Sequence, residues 1–506
     1  MGQSSSSSEQ EVSPELREAQ SLAASTGALS SLEKAFSLLS DPQTKSIPIH
    51  SLQKCFNLTF ESFGSDEDMV FKEAPSLFSH LGSTIVDLFF VADKDGVNWI
   101  EFLRGYTKCC VEMCGDDCKI NGSLSSHDLL ILLWVCWIFS WDSRTFKLNS
   151  GKSKGKCSLP DISHLVLSAI EACVEDGPDL NIWDSDISEL DIKLPAAKIH
   201  LWALKNIPNL ADCFVQFVHA RLCYLTTHED TLEAPCSSAR ESSSAISETN
   251  LLTCGRAWAI SLTLRGPIHA EISKACFPSD LDETKENIIY RSSVHGKGLN
   301  RFWSNVEGYN GPLLVLIAAC EDKSSTRRWI IGALTDQGFE NRDLFYGTSG
   351  SLYALNPVFH ALSSTGREKN YVYSHLHPTG RVYDAHPKPV GVGFGGNIGN
   401  ERIFMDEDFS RITVRHHAVD KTYQHGPLLP NQGFLPVEAS VLEVEVWGLG
   451  GRNALKIQAS YKKREQLFTM QRRKIDLKTF SNWDDSPEKM MMDMMSNPNA
   501  VEREDR

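Results

Sequence analysis

Residues 442–448 read Leu442-Glu443-Val444-Glu445-Val446-Trp447-Gly448. Leu442, Val444 and Val446 alternate with Glu443 and Glu445, the period of two that lets a β-strand pack one face and wet the other. Short apolar runs at 313–318 and 329–334 lie between polar turns, and Tyr371-Val372-Tyr373 and Ile403-Phe404-Met405 add further β-forming residues. Gly332, Gly338, Gly347 and Gly350 punctuate these runs. The pattern predicts a two-layer β-sandwich with a few short helices.

Upstream the pattern changes. Residues 231–250 are rich in serine and poor in large apolar side chains, so they cannot build a core and read as a linker. Before them, Ser13-Pro14-Glu15 is a helix start, with a side-chain cap, a proline in the first turn and an acid near the positive end of the dipole. Leu29, Leu32, Phe36 and Leu39 then recur at helical spacing. Apolar segments at 81–91, 102–113, 124–139, 162–174 and 196–225 extend this into one helical domain over 14–230. The most apolar stretch, 129–141, is bracketed by Asp128 and Asp142 and is too short to cross roughly 30 Å of hydrocarbon, so a buried core helix is expected. The fold class is therefore α+β.

Asp93-Lys94-Asp95-Gly96-Val97-Asn98-Trp99-Ile100-Glu101-Phe102 resembles the middle of an EF-hand loop. Calcium needs oxygen ligands at loop positions 1, 3, 5 and 12 and a glycine at 6. Setting Glu101 at 12 puts Phe90, Ala92 and Lys94 on the first three ligand positions, while setting Gly96 at 6 puts Phe102 at 12 and Val91 at 1. Neither register closes a cage, so a degenerate EF-hand-like helix pair kept for packing is expected. Cys109, Cys110, Cys114 and Cys118 could be a partial zinc site with His127, or buried thiols acting as small hydrophobes; the spacing favours the second.

The 506-residue chain carries a formal net charge of -15, which would repel a polyanion over most of its surface and makes nucleic acid a poor partner. Its 14 cysteines are scattered, as expected of free thiols in a reducing compartment. The opening Met-Gly-Gln-Ser-Ser-Ser places Gly2 and Ser6 in the pattern read by N-myristoyltransferase. One acyl chain anchors weakly, and neither a second lipid site nor a basic run stands beside Gly2, where Glu9 and Glu11 follow.

Several motifs in order resemble the TLDc family over roughly 251–451. They are Ile289-Tyr290-Arg291-Ser292-Ser293 with His295-Gly296, then Gly332-Ala333, Phe345-Tyr346-Gly347, the glycine run from Gly391 to Gly396, Asp406 to Phe409, and Glu443 to Gly448. The layout as a whole resembles one branch of that family, the MTOR-associated TLDc proteins of lysosomes. The resemblance implies protein binding, possible partners being subunits of the vacuolar proton-pumping ATPase or a growth-signalling complex, and resistance to oxidative stress. It implies residence in the cytoplasm and on cytosolic membrane faces of the lysosome or vacuole. After Phe409 the small residues common in the family give way to Arg411-Ile412-Thr413-Val414-Arg415-His416-His417, and the later threonine-aromatic segment reads Thr422-Tyr423-Gln424-His425.

Enzyme readings find little support. The run from Gly391 to Gly396 follows Pro387 and Pro389 and leads into a strand-like segment, so a hairpin is favoured over a phosphate loop. Gly347-Thr348-Ser349-Gly350 lacks the nucleophile elbow. His375, His377, His386, His416, His417 and His425 have no spaced carboxylate partner, and Cys254, Cys276 and Cys320 show neither C-x-x-C pairing nor a helix-start setting. No catalytic residue, metal ligand, cofactor or small-molecule substrate is therefore expected.

The last recognisable element, 453–480, is a basic amphipathic helix, before an expected disordered tail at 481–506. Lys462, Lys463, Arg464, Leu467, Phe468, Arg472 and Arg473 are its candidate partner-binding residues. It could dock on its own body, meet an acidic protein surface or lie on an anionic membrane. The sequence thus reads as an acylated disordered start (1–13), the helical half, the linker, a TLDc-like β domain and this helix. The expected function is a non-catalytic, membrane-tethered adaptor or regulator, with an oxidative-stress protein of cryptic catalytic or redox activity as the alternative.

Overall fold

The computed structural model describes residues 13–57, 80–90, 96–114, 122–140, 159–174, 182–183, 185, 187–227, 250–276, 287–321, 327–376, 387–481 and 489. Its amino-terminal half is helical: α1 (Pro14–Ser25), α2 (Leu29–Leu39), α3 (Ile49–Phe56), α4 (Leu81–Phe89), α5 (Trp99–Cys110), α6 (Ser126–Ser140), α7 (Ser163–Cys173), α8 (Ala196–Asn206) and α9 (Leu210–Thr227). Two short strands, β1 (Ser123–Ser125) and β2 (Lys193–Pro195), pair antiparallel among them. Helix α6 covers most of the apolar stretch and is buried nearly all round, with Trp134 donating its indole N–H to the Pro160 carbonyl at 3.1 Å. Among the described residues no helix is long and apolar enough to cross a membrane.

Asp93 and Asp95 of the suspected calcium loop lie outside the described residues. The residues after Asp95 serve other ends. Gly96 adopts φ +109°, and a Cβ there would lie 2.4 Å from the Ile47 carbonyl oxygen, because Val97 and Ile47 exchange both backbone hydrogen bonds. Asn98 caps α5 by accepting from the Glu101 N–H at 2.9 Å, and the Glu101 carboxylate is held by Arg104 at 2.9 Å. The described side-chain oxygens of the motif, on Asn98 and Glu101, thus start and staple a helix. No EF-hand-like calcium-binding motif is evident among the described residues, and what they show where the degenerate pair was expected is a helical domain.

The second half begins with α10 (Cys254–Ser261) and α11 (Gly266–Cys276), followed by β3 (Ile288–Arg291), α12 (Ser292–His295) and α13 (Leu299–Val306). The remaining strands are β4 (Leu313–Cys320), β5 (Arg328–Thr335), β6 (Arg342–Tyr346), β7 (Gly350–Asn356), β8 (His360–Ser363), β9 (Val372–His375), β10 (Gly391–Asn397), β11 (Asn400–Asp406), β12 (Arg411–Val414) and β13 (Val437–Gly448). Helix α14 (Gly451–Ser481) closes the sequence of elements.

These strands form one antiparallel sheet in the order β6-β9-β10-β11-β12-β13-β4-β5-β7-β8, with β3 also paired to β13. The expected two-layer sandwich is therefore corrected to a single curled, open sheet, a half-barrel. The reason lies in β13. Its first residues pair with β12 and its last with β3 along one edge, while its other edge runs against the whole of β4. One 12-residue strand thus joins into a single ladder what would otherwise be two layers.

Strand β4 shows why the sheet is buried on both sides. Leu313, Val315, Ile317 and Ala319 face the concave core with Phe394, Ile403 and Val446, whereas Leu314, Leu316 and Ala318 join the core of the helical half. Eight consecutive buried residues follow from cores on both faces. Along β13 the anticipated alternation fails at two places. A bulge between Val441 and Glu443 leaves Leu442 41% exposed, and Glu445, expected to be wet, is fully buried because the helical half covers that face.

The two halves meet tightly at α7 and the turn before β8. Phe359 donates to the His164 carbonyl at 3.1 Å, and Ser168 joins the Phe359 carbonyl to the Trp202 indole. A Cβ on Gly255 would lie 2.0 Å from the Asp161 carbonyl oxygen. Burial pushes the His164 imidazole down to about 4, with Asp161 pulling it up and Arg256 pushing it further down. Below the ordinary value near 6.5 the unfolded chain binds a proton that folded His164 refuses, so stability is present above that pH and is lost as the pH falls toward 4. This residue is expected to contribute about 2 kcal/mol of destabilisation between pH 7 and pH 5. Urea midpoints at the two pH values should show the loss in the parent chain and a smaller one in His164→Gln; equal losses would remove His164 from the account.

Candidate protein-binding surface

Helix α14 leaves the sheet at Gly448-Leu449-Gly450, where close backbone packing sets its direction. Gly450 donates its N–H to the Tyr309 hydroxyl at 2.7 Å, and Ala454 is buried against Gly311 and Gly450. Gln458 donates to the carbonyls of Asn305 and Glu307 at 2.7 and 3.2 Å. The Tyr461 hydroxyl donates to the Glu307 carboxylate at 3.0 Å, and its ring lies so close to Gly308 that a Cβ there would come within 2.3 Å. Lys462 ends the anchor, its ammonium donating to the Asn305 carbonyl at 2.9 Å. Half-burial pushes the Lys462 ammonium down from its ordinary value, with Glu307 opposing.

Beyond Lys462 the helix stands clear. Every side chain from Lys463 to Arg473 is exposed, including Arg464, Arg472 and Arg473. Leu467, Phe468 and Met470 are 52%, 55% and 58% exposed, so among the described residues the apolar stripe is left largely uncovered. At about 1.5 Å per residue, the backbone from Lys463 to Ser481 extends roughly 28 Å from the anchor. Of the seven candidate residues, six thus share the projecting segment and Lys462 holds the helix to its base. Exposed apolar groups flanked by cations are chemistry for a partner with an acidic, partly apolar surface.

The anchor itself was the part hidden from sequence reasoning. Tyr309, Gln458 and Tyr461 are polar side chains without a motif, and Gly308, Gly311 and Gly450 signal close approach only once the chain is folded.

This frame of β3 to β13 with the glycine exit into α14 is matched by the sequence model of the TLDc domain, over residues 266–450. The chain carries a TLDc domain. No curated protein matches the chain. Within the TLDc domain the glycine run forms the expected hairpin, β10–β11, pairing Gly391 with Asp406 and Asn397 with Asn400.

The other candidates occupy separate places. Gly2, Cys118, His377 and His386 lie outside the described residues. Cys109 and Cys110 are buried in α5, and among the described residues no group of three His, Cys, Asp or Glu side chains could hold a metal. Cys254, thought to lack a helix-start setting, is in fact the first residue of α10 behind the Thr253 cap. Burial nevertheless pushes its thiol up, against the effect of its backbone hydrogen bond. Burial likewise raises Cys55 to about 11 and raises Cys136, Cys173 and Cys213. A thiol held protonated is a weak nucleophile. Loop His416 and His425 do come together, with ring centroids 4.8 Å apart.

Proposed function

We propose that this TLDc-domain protein works by binding other proteins rather than by catalysis, with the projecting half of α14 as its contact element. The observation that carries the reading is the exposure of Leu467, Phe468 and Met470 among cations on a helix whose base is firmly anchored. In its fuller form the reading makes the protein an adaptor or regulator at cytosolic membrane faces of the lysosome or vacuole. Gly2 then supplies weak myristoyl residence, and a subunit of the vacuolar proton-pumping ATPase or a growth-signalling complex supplies the acidic surface. Two modest contacts on one chain would give useful avidity.

A second reading, resistance to oxidative stress, draws on the domain match itself, since that role is what the TLDc resemblance implies. It requires neither a membrane nor a pump. Cys55 and Cys254, whose thiols burial pushes up, are weak nucleophiles, so the cryptic catalytic or redox activity of this reading would rest on other groups.

Leu467→Asp with Phe468→Asp tests the contact element, because exposed substitutions should move stability by less than about 0.5 kcal/mol. Recovery of pump subunits from assembled membranes should fall at least roughly tenfold, equivalent to about 1.4 kcal/mol of binding. Unchanged recovery would reject α14 as the contact. Fractionation of Gly2→Ala tests the tether separately, and multiple turnovers of peroxide by the purified chain would reject the non-catalytic reading.

A further inference from the structure

From Lys463 to Arg473 helix α14 is exposed on every side over about three turns, and its backbone stays helical to Ser481. The direction in which each side chain leaves the axis follows from a turn of about 100° per residue. With Leu467 taken as zero, Phe468 lies at about 100° and Met470 at about 300°, so the exposed apolar groups spread over nearly half of the circumference. The cations spread further. Arg464, Arg472, Arg473 and Lys463 fall at about 60°, 140°, 240° and 320°, one in each quadrant. Glu465 is the one carboxylate in this segment.

Such a distribution does not suit a flat partner. A planar protein face or a membrane leaflet reaches roughly half of a helix's circumference, so it would leave two of the four cations unused. A helix lying in a membrane interface also keeps its cations on the outer face, whereas Lys463 and Arg464 fall within the apolar arc. A partner that surrounds the helix can use every one of these groups. It needs adaptable apolar pockets for Leu467, Phe468 and Met470 and acidic groups on all sides. Arg472 and Arg473 stand about 14 Å along the axis from Lys463, past the screening length of about 8 Å at physiological salt. The acidic body of a chain whose net charge is -15 therefore does little to repel an acidic partner there.

We propose that the projecting segment of α14 is clamped by a calcium-loaded, two-lobed EF-hand sensor of the calmodulin type. Calcium opens a methionine-rich apolar groove in each lobe of such a sensor, and the groove takes a basic helix by apolar anchors at i and i+3, the spacing of Leu467 and Met470. Methionine side chains adapt to an irregular set of anchors, and two lobes gripping from opposite sides meet cations in every quadrant. The inference rests on α14 as the contact element of the proposed function and adds its regulation. A sensor wrapped round the helix shuts out any other partner, so a rise in calcium releases the protein from that contact.

The test is calorimetric titration of the full-length chain with calmodulin, in calcium and in a calcium chelator, beside flotation of the chain with phosphatidylserine vesicles. The expected result is one-to-one binding in calcium with a Kd of about 1 µM or tighter, at least about 100-fold weaker in chelator. Phe468→Asp should weaken it at least about tenfold. Arg464→Glu and Arg473→Glu, on opposite sides of the helix, should each weaken it at least about threefold. All three positions are exposed, so the variants keep the fold. Equal binding in chelator would overturn the calcium sensor, and a loss with only one of the two arginines would overturn the clamp. No binding of calmodulin, whether or not the vesicles capture the chain, would overturn the proposal. Absent calmodulin binding beside a fall in pump recovery for Leu467→Asp with Phe468→Asp would sink this inference alone, and calmodulin binding beside unchanged recovery would sink the pump contact alone.

Discussion

Replacing Glu445 by alanine is expected to destabilise the protein by about 3–5 kcal/mol, the usual cost of leaving one member of a buried ion pair alone. Glu445 is fully buried on β13, where its Oε1 lies 3.0 Å from the Arg291 guanidinium of β3. Its Oε2 accepts from the Trp447 indole at 3.1 Å and from the Leu252 backbone at 3.4 Å. Arg291 in turn donates to Asn250 and is largely covered. One carboxylate therefore ties together the strand that unifies the sheet, the neighbouring strand and the chain entering the TLDc half. Glu445→Gln keeps an acceptor for Trp447 and Leu252 but loses the charge, so it should cost less than alanine. The double variant Arg291→Met with Glu445→Leu should be less destabilised than the sum of its single variants, because no charge is stranded. Urea unfolding of the four proteins decides it; an alanine variant within about 1 kcal/mol of the parent would show that the pair holds nothing together.

The same residue marks where the sequence stopped being legible. Alternation at Val444 and Val446 correctly placed a strand and one packed face. It could not show that a helical domain would bury the opposite face, because that depends on which side of the sheet receives Trp447 and Leu316. Leu442 looked like a third inward residue, and only the bulge beside it, a property of pairing with β4, turns it to solvent. Helix α6 was readable because its apolar residues surround it without periodicity, the signature of complete burial. For α14, basic and apolar spacing exposed the helix but not its anchor, since Tyr309 and Gly308 lie roughly 150 residues earlier in the chain. A cavity of about 340 Å³ between the β10–β11 hairpin and the loop that carries His416, His417 and Phe434 was least legible of all. His416 and His417 stood out as residues, but their walls come from a hairpin and two loops that only the fold brings together.

Arg402→Ala is the second change expected to cost about 3–5 kcal/mol, and its effect should be local as well as global. The Arg402 side chain is fully buried, with Nη1 on the Asp420 carboxylate at 2.6 Å and Nη2 donating to the Gly426 carbonyl at 2.8 Å. Asp420 uses its other oxygen to accept from the backbone N–H groups of Thr422 and Tyr423 at 2.8 and 2.9 Å. Those residues lead to Gln424, whose N–H bonds the Ser363 carbonyl at the end of β8. A single guanidinium thus fixes the course of the loop from 415 to 426 and, through it, the walls of the cavity. Burial lowers the Arg402 pKa, with Asp420 opposing, yet a guanidinium stays charged, so its removal strands a buried carboxylate. Arg402→Lys should also be damaging, by about 1–3 kcal/mol, because one ammonium cannot reach both Asp420 and Gly426 in the forked geometry. Hydrogen exchange separates the local effect from the global one. The amides of Thr422, Tyr423 and Gln424 should lose protection in both variants under conditions where those of β4 keep theirs. Retained protection at these three amides, or a stability change below about 1 kcal/mol, would show that the loop is held by something other than this pair.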